Sequence, residues 1–346
     1  MASSPQLEIG SEADSLAFLY QVEGGHRLSD GRIVVANRST YELRYYGADG
    51  VFLNATGRQG EGPGEFQYIA WTTRCSTDSV YVYDIGTRRI TVFDEAGRFV
   101  RMASLMLPDN TLPYGASSCS NTGYFISAGW PRGNPESGLH RPDMPVGTMA
   151  LDGTPVRLLG MFSGVDRWGT VRNGVVTGSR PPPLGRNLSL TTFGDRVYIG
   201  TADTYEVAGY GMDGQLRLLI RLAGLNLSLS QVEIDRYVDD QVQQATSDNA
   251  RRSRRRYYAD IEFPEELPAY SVLMADADGL LWIRDYARPG VEQTTWRVFD
   301  TNGVYVARVT LPSGFRVFEI GPDYILGSQT DELDVEYVRL YELVKP

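Results

Sequence analysis

The chain has 346 residues, of which 42% are hydrophobic, and a formal net charge of −10 at neutral pH. This length and composition allow a large buried core, whereas the acidic balance argues against binding to the phosphate backbone of nucleic acid. No run reaches the roughly eighteen apolar residues of a membrane-spanning helix, so we predict no membrane span. We expect a monomer with a single domain over residues 6–346.

Turn residues recur along the chain with a constant spacing. Three polar residues each lie thirteen positions before a turn glycine: Asn37 before Gly50, Asp84 before Gly97 and Thr201 before Gly214. Between these positions, short alternating apolar runs separated by Gly, Asp and Ser predict four β-strands in each unit of about forty residues. Units of this size are typical of the blades of a β-propeller.

Six such units are predicted in chain order. The first begins with a strand at Ala17–Val22, and the third is irregular, with middle strands at Gly123–Ala128 and Thr148–Leu151. The sixth unit ends one strand short at Glu336–Glu342. Because propellers close their ring by borrowing a strand from the other terminus, we predict that Gln6–Gly10 pairs beside this last strand.

One helix is predicted, between the fourth and fifth units. Ser230 and Glu233 form a capping box, and four apolar residues fall on one helical face: Ile234, Tyr237, Val238 and Val242. The helix runs into the basic segment Arg251–Arg256. We interpret this segment as a solvated helix face, and an anion site is the alternative.

The second unit resembles the NHL repeat of six-bladed β-propellers. The matching residues are the glycines and Phe66 of GEGPGEF, then Asp84, Arg89, Ile90, Phe93, Asp94 and Gly97. The resemblance implies an all-β fold with six blades of four antiparallel strands. It also implies a bacterial protein exported to the periplasm or secreted, and we expect the signal segment to be missing from this chain.

The longest insertions are all predicted to lie on one face of the propeller. Strands alternate in direction within a blade, so the links between blades share a face with the turns joining second and third strands. The insertions at residues 128–147, 163–187 and 224–268, and the excursion Asp285–Gln293, all fall in such positions. Long loops gathered on one face favour a binding site there.

Ten residues around this face are candidate ligand contacts. They are Asn37, Asp84, Arg88, Trp130, His140, Arg180, Arg186, Tyr270, Arg284 and Asp285. Asp84 and Asp285 are also candidate metal ligands, because carboxylates bind hard cations and gluconolactonase-type propellers hold a divalent ion near their axis. Calcium is the corresponding cofactor hypothesis, and turn capping through backbone N–H groups is the alternative for both carboxylates.

The histidines and cysteines limit the remaining chemistry. His26 and His140 are the only histidines, so a zinc site with several histidine ligands is not expected, and His26 is interpreted as a turn residue. Cys75 and Cys119 occupy equivalent positions in neighbouring blades. They form either a disulfide or two buried reduced thiols.

These observations lead to two hypotheses of function. The first is a propeller that binds a small molecule, peptide or protein at the face with the insertions. The second is an enzyme at the channel mouth, either a metal-dependent hydrolase resembling lactonases or a lyase resembling strictosidine synthase.

Overall fold

The computed structural model describes residues 4–10, 18–75, 78–134, 136–291, 293–332 and 335–345. Within these ranges, strands form six four-stranded antiparallel sheets and one three-stranded sheet. Each four-stranded sheet is one blade. Its strands lie side by side in chain order, except that the N-terminal strand is the outer strand of the last blade.

The elements are as follows. The closing strand is β1 (Leu7–Ile9). Blades 1 and 2 consist of β2 (Val22–Arg27), β3 (Ile33–Asn37), β4 (Glu42–Tyr46), β5 (Phe52–Thr56), β6 (Ile69–Arg74), β7 (Val80–Asp84), β8 (Arg89–Phe93) and β9 (Phe99–Ser104). Blade 3 and the insertions beside it contain β10 (Pro113–Cys119), β11 (Tyr124–Gly129), β12 (Gly138–His140), β13 (Asp143–Ala150), β14 (Pro155–Ser163), β15 (Arg167–Arg172) and β16 (Val175–Arg180).

The second half of the chain continues the same pattern. Blade 4 consists of β17 (Ser189–Phe193), β18 (Arg196–Gly200), β19 (Glu206–Gly211) and β20 (Leu216–Arg221), and it is followed by α1 (Gln231–Gln243) and α2 (Asp248–Asp260). Blades 5 and 6 consist of β21 (Tyr270–Ala275), β22 (Leu281–Asp285), β23 (Thr294–Phe299), β24 (Tyr305–Leu311), β25 (Arg316–Ile320), β26 (Tyr324–Thr330) and β27 (Glu336–Glu342).

Six hydrophobic clusters hold the blades together in a closed ring. Each cluster lies between two consecutive blades, and the last one joins blade 6 back to blade 1. Trp282 and Trp296, for example, are at most 2% exposed between blades 5 and 6. Because both faces of a blade are covered by neighbours, its inner strands contain nearly continuous apolar runs.

The ring is closed as predicted. β1 pairs antiparallel with β27, with Leu7 opposite Leu340 and Ile9 opposite Val338. Ile9 packs into the cluster between blades 6 and 1, so the N-terminal strand contributes to the core as well as covering the edge of β27.

The first strand of blade 1 lies later in the sequence than predicted. The strand is Val22–Arg27, so Gly24, Gly25 and His26 lie in it and do not form a turn. A Cβ atom on Gly24 would come within 2.6 Å of the Thr72 methyl group of the neighbouring inner strand. The glycine therefore serves close packing between strands, a role that sequence patterns do not distinguish from a turn.

Two insertions contain more regular structure than the sequence suggested. β12, β15 and β16 form the three-stranded sheet outside the blades. α1 has the predicted capping box, but the basic segment belongs to a second helix, α2, whose N-cap is Ser247. The prediction of a single helix was therefore wrong, because α2 has few apolar residues and packs mainly through Tyr258 against Tyr237 and Phe263.

Cys75 and Cys119 form a disulfide between blades 2 and 3. Their Cα atoms are 5.5 Å apart, and 44 positions separate them in the sequence. The bond joins the ends of the inner strands β6 and β10, so it links the two blades on the side of the ring away from the insertions. Of the two alternatives that the sequence left open, the structure contains the disulfide.

Candidate functional site

The insertions contact one another and form a continuous wall on one face, which we call the decorated face. The loop after β11 and the hairpin after β14 share the three-stranded sheet, in which Leu139 lies opposite Trp168. The backbone N–H of Leu139 also donates to Glu262, which follows α2, over 3.4 Å. Arg180 of the hairpin stacks on the ring of Tyr257 in α2 at 4.1 Å.

The helical insertion is anchored to blade 5. Arg288, in the excursion after β22, donates from Nε to Glu233 of α1 over 2.6 Å and from a terminal nitrogen to the Asn226 carbonyl over 2.8 Å. Hydrogen bonds from Arg288 and from Ser230 lower the pKa of Glu233 to about 2. The same carboxylate thus closes the capping box and fastens the helix to the propeller.

Arg186, one of the ten candidates, belongs to a network of two arginines and two aspartates. Its Nε donates to Asp166 over 3.0 Å, and a terminal nitrogen donates to Asp203 over 3.0 Å. Arg141 pairs with the same two carboxylates. The network balances its own charge and ties the loop after β11, the hairpin segment and blade 4 together, so Arg186 has a structural role.

Asn37 and Asp84 are buried at the ends of second strands and bind backbone groups. The Asn37 side-chain oxygen accepts from the N–H of Tyr20 over 3.0 Å. The Asp84 carboxylate accepts from three backbone N–H groups over 2.6 to 3.0 Å, on Gln67, Tyr68 and Thr87. Both residues fix the segment that leads into an inner strand, as the capping alternative describes.

Tyr270 and Asp285 are also engaged inside the protein. Tyr270 is 1% exposed and donates to the Glu206 carbonyl over 2.6 Å. Asp285 accepts from Arg297 over 2.9 Å and from the Tyr205 hydroxyl over 3.2 Å. Among the residues that the structure describes, no three His, Cys, Asp or Glu side chains gather as a metal site would require.

Five of the ten candidates remain at or near the decorated face. Arg88 and Arg180 are exposed, and His140 is partly buried in β12 with its Nδ1 at 3.1 Å from the Gly138 carbonyl oxygen. Trp130 is 41% exposed and packs edge-on against Tyr114. The fifth is Arg284.

Arg284 has no acidic partner within the described ranges. Its Nε donates to the Ser271 hydroxyl over 2.7 Å at the start of the inner strand β21. Burial and the nearby charge of Arg316 lower the pKa of Arg284. A partly buried guanidinium in this setting is suited to pairing with an anionic group.

Exposed aromatic side chains lie on the same face. Phe18, Tyr20, Tyr68 and Trp130 are between 41% and 47% exposed. The first three precede the inner strands of blades 1 and 2, and Trp130 follows the second strand of blade 3, all on the side of the insertions. Sequence analysis identified only Trp130, because the others lie in segments predicted as strand or turn.

A cavity of about 580 Å³ runs along the axis of the ring and is lined by the inner strands of all six blades. A charged cluster projects into it from three of them. His26 Nδ1 lies 3.1 Å from Glu319, and a terminal nitrogen of Arg74 lies 3.3 Å from the same carboxylate. Sequence analysis missed this cluster because it had placed His26 in a turn.

Comparison with known proteins supports the fold. Residues 25–109 match the family DUF5128, which is described as a 6-bladed beta-propeller. Together with the six sheets around one axis, this match decides the architecture. The protein is a six-bladed β-propeller.

Solved propellers from Bacteroides resemble it over nearly their whole length. A DUF4221 family member from Bacteroides vulgatus has 12% sequence identity and a TM-score of 0.56, with 98% of each chain covered. A protein described as exported from Bacteroides fragilis has 11% identity and a TM-score of 0.53, with 99% of this chain and 98% of the other covered. No curated protein sequence matches this propeller. None of its described helices is long and apolar enough to cross a membrane.

Proposed function

We propose that this propeller binds a peptide or protein partner on its decorated face. The observation that carries the proposal is the concentration of exposed aromatic side chains there, beside the wall of insertions. Aromatic residues are enriched in protein interfaces and supply much of the binding energy. The exposed aromatic side chains of this face are spread over three blades, which suits an extended partner better than a single small molecule.

The polar contacts of the site favour a partner that carries an acidic group. Arg284 pairs with no carboxylate among the described residues, and it lies beside Ser271 at the channel mouth. Arg180 lies between Trp168 and Tyr257, at 5.4 and 4.1 Å from their ring centroids, and is exposed. We assign both arginines to recognition of acidic residues that flank an apolar segment of the partner.

Matched aromatic substitutions test this proposal. Peptides are selected from a random displayed library on the native protein, and their affinities are measured by fluorescence anisotropy. Replacing Tyr68 and Trp130 by alanine is expected to weaken binding at least 10-fold, since each lost aromatic anchor costs about 1 to 2 kcal/mol or more. The control replaces Phe99 and Tyr305, which are 40% and 52% exposed on outer strands. Equal losses in both variants would refute the proposal.

The disulfide supports a second part of the proposal, an extracytoplasmic location. Stable disulfides form mainly in oxidising compartments such as the periplasm or the extracellular space. The location is tested by measuring the oxidation state of Cys75 and Cys119 in the native host. Protein extracted under acid quench and labelled with a thiol reagent after denaturation is expected to react at neither cysteine, and full labelling at both would contradict export.

A further inference from the structure

The two helices between blades 4 and 5 pack against each other as an antiparallel hairpin. Arg254 of α2 donates to the Gln241 carbonyl of α1, and one turn along each helix Tyr258 packs edge-on against Tyr237. These pairs run in opposite directions along the two helices, as they do in an antiparallel arrangement. Each helix has 13 residues, so the hairpin is about 20 Å long.

One side of the hairpin faces away from the propeller. Glu233 of α1 binds the excursion after β22, and Tyr257 of α2 contacts the hairpin after β14. Asp235 follows Glu233 by two positions, and Arg255 precedes Tyr257 by two. Residues two apart on a helix project about 160° from each other, so Asp235 and Arg255 point away from these anchors. Both side chains are exposed.

A groove of about 690 Å³ runs along this side, between the two helices. Its lining includes four partly buried apolar or aromatic side chains: Ile234, Val238, Tyr258 and Phe263. An apolar groove that remains in contact with solvent, bordered by charged residues, is typical of a surface that packs against another polypeptide.

The two borders of the groove carry opposite charges. The acidic rim consists of Asp235 and Asp239 on α1, which are exposed and one helical turn apart. The basic rim consists of three exposed arginines on α2: Arg252, Arg255 and Arg256. The ion pairs that the structure describes in these helices are made by other side chains, so all five charges are available. Like charges one turn apart destabilise a helix, and an oppositely charged neighbour removes that cost.

We propose that this side of the hairpin binds the same side of a second copy of the chain, so that the protein forms a two-fold symmetric dimer through four helices. A two-fold axis parallel to the helices places α1 of each copy over α2 of the other. The acidic rim then meets the basic rim twice, and the apolar floors of the two grooves pack together at the centre. A foreign acidic peptide would compensate only the basic rim and leave the carboxylates of α1 unpaired. The monomer expected from the sequence is replaced by a dimer in this proposal.

The dimer is tested by sedimentation equilibrium on the full chain. The face is small for an interface, so we expect a Kd of about 10 to 100 µM, weakened by added salt. The acidic rim is reversed with Asp235→Arg and Asp239→Arg, and the basic rim with Arg252→Glu and Arg255→Glu. Each double variant is expected to raise the Kd at least 10-fold, because like charges then face each other in both halves of the interface.

Mixing the two double variants is the decisive control. Each α1 then faces an α2 of opposite charge, so the mixture is expected to associate about as tightly as the native protein. A matched control, Arg157→Glu with Arg172→Glu, changes the net charge as much as the basic-rim variant does, but at exposed positions outside the helices, and is expected to dimerise normally.

The Tyr68 and Trp130 variant is also expected to dimerise, which separates this surface from the peptide site on the decorated face. The proposal is overturned if the native protein remains a monomer up to about 300 µM, which would place the Kd well above the expected range. It is also overturned if the single-rim variants dimerise like the native protein, or if mixing them does not restore association.

Discussion

Removing the disulfide between blades 2 and 3 should destabilise the propeller by a predictable amount. The bond closes a loop with a sequence separation of 44, and loop-closure entropy for that length corresponds to about 4 kcal/mol at 25 °C. For 346 residues, an unfolding entropy of roughly 2.1 cal/mol/K per residue converts this into a fall in Tm of about 5 to 6 °C. The perturbation is the double variant Cys75→Ser, Cys119→Ser, which removes both thiols together.

The assay compares urea denaturation of the oxidised protein, the reduced protein and the double variant. The midpoint is expected to fall in the last two by similar amounts, because both lack the same cross-link. The single variant Cys75→Ser, which leaves one thiol, should behave like the double variant under reducing conditions. Equal midpoints with and without reductant, or full thiol labelling of the denatured, non-reduced protein, would refute the reasoning.

Three further predictions concern carboxylates. Asp84→Ala leaves three backbone N–H groups without their acceptor and should cost about 3 kcal/mol or more by urea denaturation, whereas Asp84→Asn should cost less. Burial alone would raise the pKa of Glu319, but His26 and Arg74 lower it overall. Ionised Glu319 therefore contributes fully to the free energy of unfolding above about pH 4.5, and this contribution is lost as the pH falls through the lowered pKa. The stability of Glu319→Gln should depend less on acid pH than that of the native protein. In the native protein, proteolysis at the α1 segment should speed up as the pH falls from about 4.5 to 2, because Glu233 loses its charge and its bond to Arg288 weakens. Glu233→Gln should show a smaller change over the same range. An acid profile equal to that of the native protein would contradict the role of Arg288.

The blades could be predicted from the sequence because their pattern is local. Alternating apolar runs identify most strands. In blades 1, 2 and 4 they are supported by a polar residue near the end of the second strand and a glycine thirteen positions later, and the closing strand follows from one missing edge. α2 was missed because most of its residues are polar or charged, and its packing depends on contacts with Tyr237 and Phe263 that are made only in the folded state. The strand of Gly24 was missed because a glycine required for close packing resembles one required for a turn.

The candidate site was harder to predict because sequence patterns give the face of a propeller but not the distance from its axis. Asn37 and Asp84 end second strands, one strand away from the channel, so their side chains are used to hold the chain that enters the inner strand. Residues that reach the axis lie on the inner strands. Of the cavity-lining residues His26 and Arg74, the sequence analysis discussed only His26, and interpreted it as a turn residue.

The two ends of the axial cavity therefore differ in chemistry. At the decorated face, burial and the charge of Arg316 lower the pKa of Arg284, and exposed aromatic side chains surround it; this is where we propose that an acidic partner segment binds. At the opposite end, Arg74 pairs with both Glu319 and Asp78, and Glu319 also contacts His26.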